Sequence, residues 1–171
     1  ELAAKAIGQW TIAVQSLTLA ARRENAVFHV TAGDGCSYAL RLHRQDHRSD
    51  AELLGELQWM AALEVGRLRV PRPVTSSSGG LIEIVDGVQC DLLTWLPGRP
   101  LGTTGAPLSL PDGPAIFAGM GQAMARLHQL SDDWHLPEGF QRPSWNLPGL
   151  AGENPVWGRF WDHPALTGAQ R

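Results

Sequence analysis

The stretch SYALRLHRQDHRSDAELLGELQWM, residues 37–60, decides the fold. Its first part alternates as a β-strand does, so Tyr38, Leu40 and Leu42 share one face while Ala39, Arg41 and His43 share the other. Its last part carries apolar residues at helical spacing, Leu53, Leu57, Met60 and Ala61, and Glu56 borders that stripe. Ser49 and Glu52 form a capping box in front of it, which predicts a helix from about residue 50 to residue 64. A charge at the border of a core is costly unless it is paired. With the helix packed on the strand, the spacing predicts a bidentate ion pair between Arg41 and Glu56, with Arg41 reaching over the space that Ala39 leaves open.

Working outward, TIAVQSLTLA at 11–20 reads as a first strand or the approach to one, followed by a polar turn, AARREN. AVFHV at 26–30 and SYALRLH flank an Asp-Gly pair and predict a β-hairpin over 26–43. Pro71 and Pro73 prevent the segment at 70–80 from continuing the helix. LIEIV and VQCDLLTW, on either side of Asp86-Gly87, predict a second hairpin with a tight turn. Residues 99–114 read as an ordered linker. AIFAGMGQAMARLHQL at 115–130 predicts a second helix entered through Pro114. From 131 onward the chain is rich in Trp, Pro and Gly, with no long periodic stretch. The period changes from two to 3.6 and back, which predicts an α+β fold.

Composition narrows the function classes. The 171 residues are 43% hydrophobic, enough for one real core, and carry a formal charge of -3. That balance gives no reason to expect nucleic acid or an anionic membrane as a partner. No apolar run is long enough to cross a bilayer, and the first ten residues lack the layout of a signal peptide. Cys36 and Cys90 are far apart and outside CxxC spacing, which points to a reduced, cytoplasmic setting. Lys5 is the sole lysine, and thirteen arginines carry almost all the positive charge.

Tyr38-Ala39-Leu40-Arg41 resembles the V-A-I-K strand of kinases, with Glu56 at the place of the helix glutamate that pairs with the strand cation. The ordered blocks YALRLHR, VPRPV, LLTWLPGRPL, GMGQAMARLHQL and RPSWNLPGLAGENPVWGRFWDHPALT resemble the aminoglycoside phosphotransferase superfamily, and within it the type II homoserine kinase and stress response kinase branch. The likeness covers most of residues 17–171. It implies a kinase-like N-terminal lobe over 1–96, an antiparallel sheet plus one helix. A hinge and linker over 97–114 and the start of a helical C-terminal lobe over 115–171 would follow. It also implies ATP and Mg as cofactors and a hydroxyl-bearing acceptor, a small molecule or a protein. Arg22, Arg23, Glu24 and Asn25 would form the turn over the phosphates. Arg41 would contact those phosphates with Glu56 orienting it, and Leu93, Thr94, Trp95 and Leu96 would form the hinge against adenine.

The chain departs from the family pattern in three ways. Arginine replaces the usual strand lysine, and its planar fork is not equivalent to an ammonium group. The phosphate turn lacks G-x-G-x-x-G. No H-x-D-x-x-x-x-N and no D-F-G element occurs in the sequence. The expectation is a chain that ends before the catalytic loop, holds no catalytic residue or metal ligand of its own, has its Mg ligands beyond residue 171, and is inactive by itself. The alternative is a non-catalytic nucleotide-binding or regulatory module, and a structural α+β domain without nucleotide is a third reading.

Other groupings have simpler accounts. His43, Asp46 and His47 supply no third ligand at metal spacing and read as a solvated strand end and turn. His29 reads as an exposed or half-buried sheet residue, and Asp132-Asp133 as a helix-end turn. Trp134, Trp145, Trp157 and Trp161 read as cover for a core edge. Gly35 and Gly87 read as turn glycines.

Overall fold

The computed structural model describes residues 1–168. A helix that the sequence reading did not predict, α1 (Leu2–Ile7), leads into strands β1 (Val14–Arg22), β2 (Ala26–Ala32) and β3 (Ser37–Leu42). Helix α2 (Asp50–Val65), strands β4 (Glu83–Val85) and β5 (Val88–Thr94) and helix α3 (Gly113–Asp132) follow. The five strands form one antiparallel sheet in the order β1-β2-β3-β5-β4. Residues Glu1–Phe140 make one compact unit and Gln141–Arg171 a second. The second holds α4 (Leu147–Ala151), a 3-10 turn at Phe160–Asp162 and an edge-to-face Trp145–Trp157 pair, with Trp145 and Trp157 both exposed.

The alternation read from residues 38–43 sets the two faces of the sheet. Leu40 lies opposite Leu92, and Leu42 opposite Cys90, on one face. These four pack with Val30 and with Ala3, Ala6, Ile7 and Trp10 into the main core. Burying each large aliphatic there contributes roughly 1.5–3 kcal/mol. The α1 segment LAAKAI is too short to show a helical period, and its Ala-rich stripe is defined by what it covers. Trp10 fixes the exit from α1 by donating Nε1–H to the Val74 carbonyl at 2.9 Å.

The first strand runs two residues beyond the predicted end. Ala21 and Arg22 pair with Val27 and Ala26, so the turn shrinks to residues 23–25. Pairing of the backbone to β2 outweighs the polar side chains, which point to water. The second hairpin closes at Asp86 and Gly87, with φ of 51° and 76°. Two successive positive φ values make the turn whose twist matches its strands, and Asp-Gly is suited to it. Helix α2 spans the predicted range to within a residue and begins with the capping box of Ser49 and Glu52. Helix α3 starts two residues earlier than predicted, where the Asp112 side chain accepts from the Ala115 N–H and Pro114 sits in the first turn. Trp59 of α2 donates to the Ser131 hydroxyl of α3 at 3.0 Å, tying the two helices together.

Candidate functional site

Arg41 lies on the face of β3 away from the main core, directly opposite Asp91 on β5. Its guanidinium forks onto Asp91, with Nε donating to Oδ1 and Nη2 to Oδ2, both at 2.7 Å. Nη1 donates to Glu56 Oε1 of α2 at 2.7 Å. The predicted meeting of Arg41 and Glu56 is therefore present, but the bidentate partner is Asp91. The reason is positional. Antiparallel pairing sets Asp91 beside Arg41 in the plane of the guanidinium, whereas Glu56 approaches from a helix and reaches one nitrogen.

His43 corrects the sequence reading in the same place. It is buried, not solvated, and its Nε2 lies 2.7 Å from Asp91 Oδ2. The alternation of β3 carries it to the Arg41 face, and Asp91 supplies the partner its burial requires. Asp91 has 0% exposure and engages both oxygens. Burial pushes its carboxyl upward, but the bonds from His43 and Arg41 and the guanidinium charge outweigh this and hold it below the ordinary carboxylate range. Burial likewise works against the charge on Arg41, and Asp91 and then Glu56 more than offset it, so Arg41 stays firmly protonated.

Sequence reading passed over Asp91. The available signal was a lone carboxylate in the middle of the apolar strand VQCDLLT. Its link to Arg41 depends on the register between β3 and β5, which are 50 residues apart along the chain at this pair.

Several of the remaining expected site residues line two different cavities. Arg23, Glu24 and Asn25 line a cavity of about 440 Å³ with Leu2, Leu42 and Val88. Within that turn the Arg23 N–H donates to the Asn25 carbonyl, and Glu24 reaches toward Arg44 at 3.8 Å. Leu93 is buried. The N–H groups of Thr94 and Trp95 are spent on the Arg72 and Ser37 carbonyls. Leu96 lies past the last of these bonds and, with Thr94, borders an open groove of about 660 Å³ that includes Arg67, Arg69 and Arg72. Trp95 stacks at a tilt on His29, with ring centroids 4.4 Å apart. Among the described residues no group of three His, Cys, Asp or Glu side chains is placed to hold a metal ion, and no helix is long and apolar enough to cross a membrane.

Comparison with known proteins matches this architecture. The model of the phosphotransferase enzyme family matches residues 17–166. The solved structure of a microcompartment-associated aminopropanol kinase is 30% identical with a TM-score of 0.73, over 91% of this chain and 47% of that one. An amicoumacin kinase, solved in complex with AMP-PNP, Ca2+ and Ami, is 25% identical with a TM-score of 0.70, over 83% of this chain and 42% of that one. An uncharacterized protein of Deinococcus radiodurans is 30% identical over 126 residues, 71% of this chain and 34% of the relative. The chain thus spans about a third of that relative's length and less than half of each kinase's. The sheet with its helices is the N-terminal lobe of a kinase-like fold.

Proposed function

Because the chain belongs to the phosphotransferase enzyme family, we propose that it is the nucleotide-binding part of an ATP-dependent kinase acting on a hydroxyl of a small molecule or protein. The observation that carries this reading is the strand cation Arg41 joined to Glu56 of the following helix, the pairing that kinases use to hold ATP phosphates. The donor chemistry fits. A guanidinium has five N–H groups and three are engaged here, so one hydrogen on each terminal nitrogen is left for an anion. Arg41 keeps 14% side-chain exposure, so an anion can reach it. Arg22, Arg23, Glu24 and Asn25 would cover the phosphates through their backbone. Leu93, Thr94, Trp95 and Leu96 would form the hinge, with Leu96 offering its backbone to adenine.

ATP supplies the transferable phosphoryl group, and this chain's residues bind and orient it. Use of a divalent metal, Mg in this reading, rests on the family and on the Ca2+ and AMP-PNP of the amicoumacin kinase. Among the described residues no group of three His, Cys, Asp or Glu side chains is placed to supply its ligands. These and the catalytic carboxylate would lie beyond residue 171, in a polypeptide of about twice this length, and the chain alone would be inactive. A cytoplasmic location goes with this reading.

One observation favours the second reading, a non-catalytic nucleotide-binding or regulatory module. Arg41 already faces two carboxylates, Asp91 and Glu56, which leaves less positive field for phosphate. The test is the native gene product. Its intact mass, followed by an assay of ATP turnover against hydroxyl acceptors, should show a longer chain that hydrolyses or transfers the γ-phosphate. A native product of this length, binding ATP without turnover, would replace the kinase reading with the module.

A further inference from the structure

Asp91 is completely buried and cannot itself meet a ligand, yet three donors converge on it: Nε and Nη2 of Arg41 and Nε2 of His43, each at 2.7 Å. Both of its oxygens are occupied, and the side chain cannot rotate without breaking bonds to two residues. It therefore fixes the side edge of the Arg41 guanidinium. Glu56 then takes a single hydrogen of Nη1.

We propose that Asp91 is a positioning residue for nucleotide phosphates, holding Arg41 by its side edge so that the hydrogens left on Nη1 and Nη2 serve a phosphate oxygen. The inference rests on the ATP-cleft reading of the preceding subsection. It also explains why arginine stands at this strand position. An ammonium group has one nitrogen and cannot span Asp91 while also reaching Glu56 and a phosphate through separate atoms. A planar fork divides the tasks: one edge is anchored, and the terminal nitrogens face other partners. His43 completes the arrangement by holding Asp91 Oδ2 from the neighbouring strand position.

The experiment measures ATP and adenosine affinity, by calorimetry, on the full polypeptide of the native reading frame and on its Asp91→Asn and Arg41→Lys variants. Adenosine reports the base site alone, and the ratio of the two affinities reports the phosphate site. The expected result is an ATP affinity about tenfold or more weaker in Asp91→Asn, with adenosine affinity unchanged, since bonds to a charged group are lost only at the phosphates. Arg41→Lys keeps the charge and is expected to lose ATP affinity in the same way. A folded Asp91→Asn protein that binds ATP, relative to adenosine, as tightly as the parent or more tightly overturns the proposal and leaves the ATP cleft standing. Should Asp91→Asn fail to fold, Arg41→Lys decides, and full ATP affinity in that variant overturns the proposal. A parent protein that binds neither ligand overturns the ATP reading itself, and this inference with it.

Discussion

Arg41, Asp91, Glu56 and His43 share one hydrogen-bonded network, but their environments differ, and so do the expected costs of removing each. Asp91 is fully buried, so Asp91→Ala leaves the guanidinium short of its main partner inside the fold. We expect a loss of about 3–5 kcal/mol in urea denaturation. The Glu56 side chain is 26% exposed, and water replaces part of what is lost. Glu56→Gln should cost about 1–2 kcal/mol in the same measurement. The depressed Asp91 carboxyl also fixes the sign of a pH effect. Its contribution is fully present above the unfolded value of about 3.9 and is lost as pH falls through the lower folded value. The difference in melting temperature between the parent and Asp91→Asn should therefore narrow as pH is taken from 7 toward 3. A constant difference would show that the carboxylate is not held low in the native state.

At the scale of the element, α2 is defined by its two ends. The Ser49 hydroxyl accepts from the Glu52 N–H, and the Glu52 carboxylate accepts from the Ser49 N–H. Ser49→Ala should cost about 1 kcal/mol by chemical denaturation. At the other end the Arg67 N–H bonds to the Glu64 carbonyl and the Leu68 N–H to the Leu63 carbonyl. This is the closure in which glycine is favoured after the C-cap, and Arg67 adopts it with φ of 60°. A side chain there carries a steric cost, so Arg67→Gly should stabilise the protein by about 0.5–1 kcal/mol. Gly66, one residue earlier, lies against α3. A Cβ there would meet Leu130 Cδ2 of α3 at 2.5 Å. The Leu130 side chain would have to shift to admit it, and Arg126 donates to the Gly66 carbonyl at 3.2 Å.

Across the whole molecule, the sheet is held by its apolar face against α1 and by an ionic cluster on the opposite face. Helix α3 presents Phe117, Met120 and Met124 to the surface, with Phe117 55% exposed and Met124 58% exposed. Replacing Phe117 and Met124 by Ser should change stability by less than about 0.5 kcal/mol and reduce binding of a hydrophobic dye, which a fluorescence titration reads. The sequence by itself determined the elements whose signals are local: the strand alternation at 38–43, the Asp-Gly turn at 86–87, and the capped helix from 50. Each depends on residues within a few positions, where backbone sterics and short-range hydrogen bonds act. It also placed Arg41 and Glu56 together, because β3 and α2 are joined by a short loop that limits where their faces can meet. Only the tertiary structure decided that α1 closes the core, that His43 is buried, and that Asp91 is the principal partner of Arg41. The physical reason is register. The pairing of β3 with β5 is set by the packing of Leu40 on Leu92 and Leu42 on Cys90, a long-range fit of apolar faces that no local pattern encodes. Once that face is packed, alternation carries Arg41 and Asp91 to the other side together.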